Sequence, residues 1–579
     1  MSKGVPESPF SELVFGFVYP VGTNADPVLT AFRNFLGQYG YDAPVFRISD
    51  QLRSLDLGIS FDDSSPFGKR DALIKAGNKA REMAKDDGIV AVMAVSEFAS
   101  QRVLDEEQRP MATMRTAHLV RSLKRPEEVA LFREVYKSGF YLIGIANDED
   151  SQMRYLTSEL GMTEKQAKSL VERDQNEQVP SGQRTRDTFY LADVFVQASE
   201  ERYKDQIDRF LELVFGHPFI TPLKEEHAMF LAYASAARSA QLGRQVGAAI
   251  ATPQGDVLAV GMNEVPSPRG GVYWEGDDDD SRDHTKPVDP NAEHRDLIIR
   301  SIQDSLGNEV LDLSEVANLV GVVLDEQKLT IGDVDLKSAI RSVLGQRGSL
   351  LNRQATFEAI QKSDLRLITE YGRAVHGEMD AILTCARLGI SVRGNYLYVT
   401  TFPCHNCTRH IVASGIRRVY YVEPYPKSKA RDLHSDAICF DLDSAEESGR
   451  IPFLPFIGIG PRRYLDFFSL DLSSGRPIQR KGKDDKPKLP LKTERAPRVP
   501  LIPLNYLNAK TSSSTNSRAF SRGFKGSRVW TYAQRRLSPE ARPKAAEMLG
   551  ATLLLVSAPG RLLPLRGRRA EPWHLGCGM

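Results

Sequence analysis

Two rhythms of apolar and polar positions alternate along the first third of the chain. Glu12 to Val18 (ELVFGFV) is a compact apolar run closed by Tyr19-Pro20-Val21-Gly22-Thr23-Asn24, the pattern of a buried strand followed by a turn. Asp26 can then cap a helix and Pro27 occupy its first turn. Val28, Leu29, Phe32, Phe35 and Leu36 give that helix one apolar face. Val45 to Ile48 predicts a second strand. A helix from Pro126, with Val129, Phe132, Val135 and Tyr136 on one side, leads to a third strand at Phe140 to Ile145. Strands alternating with helices predict an α/β domain with a mainly parallel sheet over residues 10–215.

Beyond it the rhythm restarts. A small-residue helix is expected from Glu225 to Leu242, then strands at Val246 to Ala251 and Val257 to Val260 joined by the turn Pro253-Gln254-Gly255-Asp256. Residues 264–290 read as a loop with an acidic stretch, Asp277 to Asp280, and about 291–366 as a helical insertion. A helix from His376 to Leu388, a strand at Tyr396 to Thr400, a helix to Ala413 and a strand at Arg418 to Val422 complete a second domain over 220–475. From Pro477 to the last residue, 579, Lys, Arg, Pro and Ser dominate and periodicity stops, which predicts a disordered basic tail.

Bulk properties add limits. A chain of 579 residues exceeds one hydrophobic core. Its net charge of +1 gives no reason to expect nucleic acid or an anionic membrane as main partner. Five cysteines leave no disulfide framework and suit a reducing cytoplasm. No apolar run reaches membrane-spanning length and no secretory leader is visible, so the expectation is a cytoplasmic protein with no membrane partner.

The chemistry concentrates in a split cluster, His376-Gly377-Glu378 and Pro403-Cys404-His405-Asn406-Cys407. One imidazole and two thiolates can hold Zn²⁺ and leave a fourth position for water, whose pKa then falls toward neutrality. Proposed ligands are His376, Cys404 and Cys407. Glu378, two residues past the His on the first turn of a helix, can reach that water without binding metal and shuttle its protons. This is the pattern of zinc nucleobase deaminases. A structural zinc site would need a fourth protein ligand, and none is obvious. Cys385 reads as a buried small hydrophobe and His410 as a helix-surface residue.

Residues 225–440 resemble the deoxycytidylate deaminase branch of the cytidine deaminase-like superfamily. The matching pieces are Arg244-Gln245-Val246-Gly247-Ala248, Gly261-Met262-Asn263, the His-x-Glu and the Pro-Cys-x-x-Cys. Gly377 departs from the Ala common in that family. The resemblance implies a three-layer α/β/α deaminase domain, a deoxycytidine nucleotide substrate, homo-oligomeric assembly, and contact of Asn263 with the nucleotide sugar; a turn-forming role for Asn263 is equally open. Lys427, Lys429 and His434 would lie near the substrate phosphates in such a pocket, or else on a solvated loop.

Over residues 10–475 the chain is similar to the anti-phage dCTP deaminases, which join an N-terminal P-loop kinase-like domain to this deaminase. Further matching pieces are Gly16 to Thr23, Ser122 to Glu128, Tyr425 to Ala430 and Pro461-Arg462-Arg463-Tyr464. That resemblance implies conversion of dCTP or dCMP to the deoxyuridine nucleotide and ammonia, depleting dCTP during infection. The loop from Gly16 is degenerate: Val21 stands where the second Gly of a P-loop belongs and Gly22 where its Lys belongs. Without that Lys, phosphoryl transfer is not expected. Gly16, Gly22 and Thr23 remain candidate nucleotide contacts through backbone amides and a hydroxyl. A structural or regulatory domain, with a nucleotide or RNA as regulatory partner, is the expectation. The alternative for the whole protein is a zinc deaminase acting on cytosine or adenine in nucleic acid, which the basic tail would favour.

Overall fold

The β1 strand (Leu13–Val18) is buried along its whole length because both faces of its sheet are covered. Its alternating side chains separate accordingly. Leu13, Phe15 and Phe17 face α1 (Asp26–Gln38), while Val14 and Val18 join the opposite core. The protein is represented by a computed structural model, which describes residues 10, 12–102, 113–147, 149–177, 179–198, 202–305, 353–363, 371–423, 428–471, 477–482 and 484–498.

After α1 come β2 (Val45–Arg47), α2 (Ile48–Ser54), α3 (Pro66–Ala84), α4 (Ile89–Ser100), β3 (Ala117–Arg121), α5 (Pro126–Tyr136) and β4 (Phe140–Ala146). α6 (Glu149–Arg154), α7 (Glu164–Asn176) and α8 (Thr185–Phe189) lead to β5 (Val194–Gln197) and α9 (Tyr203–Val214). The strands pair in parallel in the order β5-β4-β1-β3-β2, with Gly16 level with Val120 and Leu142. Pro27 and Pro126 open α1 and α5 within their first turns, where a missing N–H costs nothing.

The second sheet follows α10 (Lys224–Ala236). β6 (Gly247–Ala251) and β7 (Val257–Met262) form an antiparallel hairpin. α11 (Pro290–Ser305) and α12 (Arg353–Lys362) pack together and are the described parts of the expected helical insertion; the rest of it lies outside the described residues. Next come α13 (Gly377–Arg387), β8 (Tyr396–Thr401), α14 (His405–Ser414), β9 (Arg418–Glu423), β10 (Ile438–Cys439) and β11 (Ile451–Pro455). The order is β10-β11-β9-β8-β6-β7. α13 and α14 cover one face through Ala381, Cys385 and Ile411; α10 covers the other through Ala228, Met229 and Ala232. This is a three-layer α/β/α arrangement.

The two sheets are joined more closely than a boundary near residue 215–220 implies. The α10 face shares one buried cluster with Phe132 of α5, with Ala192 and with Phe195 of β5. A late two-residue strand, β12 (Gly458–Ile459), adds antiparallel to β5. Buried Glu226 ties these pieces together. It accepts both Arg209 guanidinium nitrogens (2.7 and 2.8 Å) and the amides of Leu223 and Ile459 (2.8 Å each).

The segment from Pro477 departs from the expected disorder as far as Arg498. Lys492 pairs with Asp208 (2.7 Å) and Glu212 (3.0 Å), Arg495 with Glu212, and the Arg498 amide donates to the Val214 carbonyl (2.7 Å). Arg495 and Arg498 are buried. The acidic face of α9 supplies counter-charges that composition alone does not reveal. Residues 499–579 lie outside the described part. Among the described residues no helix is long and apolar enough to cross a membrane.

Candidate active site

Two helix starts converge to build the site. His376 is the N-cap of α13, and Cys404 is the N-cap of α14, its sulfur accepting from the Cys407 amide at 3.5 Å. Unpaired amides and the positive end of each helix dipole therefore face the sulfurs, which favours thiolate. Val375 and Glu264 exchange both backbone hydrogen bonds (3.0 and 3.1 Å), which fixes the residue before His376 beside the end of β7.

The Nδ1 of His376 lies 3.4 Å from Cys404 Sγ and 3.3 Å from Cys407 Sγ, and the three ligand atoms are within 4.8 Å of one another. A tetrahedral zinc ion with ordinary bond lengths needs sulfur–nitrogen separations of about 3.6 Å. The donor set and its spacing therefore fit zinc. His405, inside the turn, is not part of the group.

The three ligand side chains shift one another's titration. A hydrogen bond from Cys407, with further help from His376, pulls the Cys404 thiol down to about 4. The hydrogen bond to Cys404 pushes His376 up to about 9, and the Cys407 thiol is raised by the Cys404 sulfur and by burial. These are the protons that a divalent cation displaces when it binds such ligands. Glu378, 3% exposed on the first turn of α13, is pushed up to about 7 by burial, against the pull of His376.

Glycines set the close approaches around this cluster. A Cβ at Gly377 would stand 3.0 Å from the Val246 carbonyl oxygen, so the departure from Ala noted in the sequence has a packing role. A Cβ at Gly247 would be 1.9 Å from the Ala232 carbonyl, which brings β6 hard against α10. A Cβ at Gly261 would be 2.3 Å from the Gly377 carbonyl oxygen, so the Val-Gly-Ala and Gly-Met-Asn pieces are contact points as much as chemistry.

Asn263 uses its side chain on the backbone: Oδ1 accepts from Val246 N and Nδ2 donates to the Arg244 carbonyl, both at 2.7 Å. It shapes the Arg244–Val246 turn, with one N–H and one lone pair left over for a sugar hydroxyl. Ser428 Oγ donates to the Pro403 carbonyl (2.8 Å), which keeps the neighbouring Lys429 next to the metal turn. Lys429 is exposed, its Nζ 3.9 Å from Asp432, and His434 is half-buried at the end of the following helical turn. Lys427 lies outside the described residues.

Sequence reasoning did not single out Glu423 or Asp380. Glu423 pairs with Arg244 and accepts from Thr401 Oγ1 (3.2 Å), linking the Arg244 turn to the end of β8. Buried Asp380 accepts from Met262 N (3.3 Å), and burial raises its pKa. An acid at i+2 from Glu378 on an amphipathic helix was the available signal.

In the first domain Gly16 is corrected. It lies inside β1, where a Cβ would strike Leu123 at 2.7 Å and Phe140 at 2.9 Å, so it serves packing and does not begin a phosphate loop. Gly22 (φ 85°) and Thr23 do lie in the loop between β1 and α1.

Residues 223–423 match the family model described as the cytidine and deoxycytidylate deaminase zinc-binding region. ComE operon protein 2 of Bacillus subtilis (strain 168) is 45% identical over 53 residues, 9% of this chain and 28% of the relative. Deoxycytidylate deaminase of Enterobacteria phage T2 is 46% identical over 55 residues, 10% of this chain and 29% of the relative. The chain thus spans under a third of these relatives' length. A solved dCMP deaminase of the cyanophage S-TIM5 aligns over 41% of this chain and 100% of its own, at 15% identity and a TM-score of 0.20. Residues 223–423 form a deaminase-like zinc domain, and the His376–Cys404–Cys407 cluster lies within it.

Proposed function

We propose that the chain is a zinc-dependent hydrolytic deaminase of deoxycytidine nucleotides, dCTP or dCMP, giving the deoxyuridine nucleotide and ammonia. The carrying observation is the convergence of His376, Cys404 and Cys407 with a buried Glu378 in the first turn of α13. When bound, zinc supplies the Lewis acidity that makes water nucleophilic near neutral pH. Glu378 accepts a proton from the attacking water and delivers it to the pyrimidine ring nitrogen. It then passes the second proton to the amine as the carbon–nitrogen bond breaks. The other residues hold geometry: Gly377 admits the Val246 carbonyl, and Glu423 anchors the Arg244 turn. Lys427, Lys429 and His434 are the proposed phosphate contacts, and Asn263 the proposed sugar contact.

The same reading extends to a cytoplasmic homo-oligomer that depletes dCTP in antiviral defence, the first domain restraining or sensing. The competing reading, deamination within nucleic acid, drew on the basic segment from Pro477. Two of its described cations, Lys492 and Arg495, are engaged by α9, which removes part of that support. Purified zinc-loaded protein assayed against dCTP, dCMP and single-stranded DNA separates the readings. Ammonia release is expected with a free nucleotide; turnover of DNA alone would reverse the assignment.

A further inference from the structure

The first domain meets the zinc domain at the carboxyl ends of β8 and β9. Tyr190, the C-cap of α8, lines a small crevice there with Thr400, Val422, Tyr233 and Arg462. Arg462, from the Pro-Arg-Arg-Tyr piece, lies over the rings of Tyr190 (5.1 Å) and Tyr233 (5.8 Å). Arg186 is one turn earlier in α8, and its carbonyl accepts from the Tyr190 amide (3.2 Å). Residues four apart share a helix face, so Arg186 and Tyr190 address the same strand ends.

Strand alternation divides those ends between two faces. Tyr398 and Val422 belong to the core under α10, Val399 and Tyr421 to the core under α13 and α14. Thr401 and Glu423 continue the second series and therefore stand on the zinc side. Thr401 Oγ1 donates to the Glu423 carboxylate (3.2 Å), and the Phe402 amide donates to the Glu423 main-chain carbonyl (2.7 Å). Cys404 follows two residues later. The charged groups that face Arg186 are Asp187 of its own helix and, across the strand ends, Glu423 and Arg244. A guanidinium of the first domain is thus present at the edge of the zinc site.

Both carboxylates near it are already committed. Glu423 is paired with Arg244, and Asp187 with Arg184 (2.7 Å). Among the described residues no carboxylate lies within ion-pair distance of Arg186, and no hydrogen bond engages its guanidinium. Arg186 is half-buried; burial and the like charge of Arg244 lower its pKa against the pull of Asp187 and Glu423. A partly dry guanidinium with no counter-ion of its own favours an arriving anion.

We propose that Arg186 of the first domain is a specificity-determining residue of the deaminase site, where it binds the outer phosphates of a deoxycytidine triphosphate. The inference rests on the deamination reading for its substrate. Asn263, the proposed sugar contact, is bonded to the Arg244 carbonyl and the Val246 amide, so a sugar held there has its first phosphate beside the Arg244 turn. The outer phosphates continue toward α8, and a monophosphate ends before it. The deaminase site is therefore incomplete without the first domain, and its extra cation favours dCTP over dCMP.

Steady-state kinetics on the full zinc-loaded chain test it, comparing dCTP with dCMP in the parent, Arg186→Gln, Arg186→Lys and Arg184→Gln. Arg186→Gln should lower kcat/KM for dCTP about tenfold or more, mainly through KM. Its kcat/KM for dCMP should fall by less than about threefold. Arg186→Lys keeps a cation without the planar fork and should recover part of the loss. Arg184→Gln removes the ion pairs of α8 with Glu127 (3.3 Å) and Asp187. It should leave the dCTP-to-dCMP ratio as in the parent, which separates phosphate binding from a loosened α8. Equal losses on both nucleotides, no loss on dCTP, or the same ratio change in Arg184→Gln would overturn the proposal. Calorimetry with both nucleotides in a Glu378→Gln background makes the same comparison without turnover. A parent that binds dCTP but releases no ammonia would sink the deamination reading and leave the binding comparison standing. A parent that binds no dCTP at about 1 mM would overturn both.

Discussion

A single methyl group added at Gly261 should disable the zinc site from outside it. Gly261 lies in β7 against α13, and a Cβ there would stand 2.3 Å from the Gly377 carbonyl oxygen and 2.4 Å from the Ala381 nitrogen. Both obstacles are main-chain atoms, so no rotamer change relieves the contact. Ordinary contact begins near 3.4 Å, so strand and helix must part by about 1 Å. His376 caps α13 and Glu378 is in its first turn, so that displacement carries ligand and proton carrier together. Overpacking of this kind costs about 1–3 kcal/mol of stability. A catalytic group misplaced by about 1 Å costs on the order of 100-fold in rate. Denaturant unfolding, zinc content and deamination rate should be measured for Gly261→Ala beside Gly243→Ala, a control with nothing within 4 Å of its added Cβ. Wild-type stability and rate in Gly261→Ala would refute the packing argument.

Other expectations are independent of that one. Cys404→Ala should lose both bound zinc and deamination; a normal zinc content by elemental analysis would contradict the ligand set. Glu226→Ala leaves Arg209 and the amides of Leu223 and Ile459 without their buried acceptor. It should lower unfolding free energy by about 3 kcal/mol or more, and a change under about 0.5 kcal/mol would show that this carboxylate does not join the sheets. Arg495→Ala, which removes a buried ion pair with Glu212, should cost about 1–3 kcal/mol, whereas a solvated tail would show none.

The zinc cluster was legible because its information is local. Ligand identities, the His-x-Glu spacing and a Pro before Cys404 sit on two helix starts whose boundaries fall within a residue or two of expectation. Long-range features were not legible. β12 is two residues long and finds its partner only by pairing with β5. α4 is nearly uniformly apolar, so no amphipathic period marked it, and β3 lacks the turn signals that framed β1. The cations at 492 and 495 read as solvated because their acidic partners on α9 are far away in sequence, and Arg498 because its partners are the main-chain carbonyls of Phe467 and Ser469. Gly16 matched a loop motif by identity, yet its environment is a strand interior, a distinction only tertiary packing makes.

The most direct test of the zinc deaminase account is Glu378→Ala, followed by zinc stoichiometry and by conversion of dCTP and dCMP to deoxyuridine nucleotides. The account predicts one zinc per chain in both proteins, ammonia release by the parent, and a loss of about 100-fold or more in the variant, as removal of a general acid–base implies. Substantial residual turnover in the variant, or a parent that holds zinc and converts neither nucleotide, would contradict it.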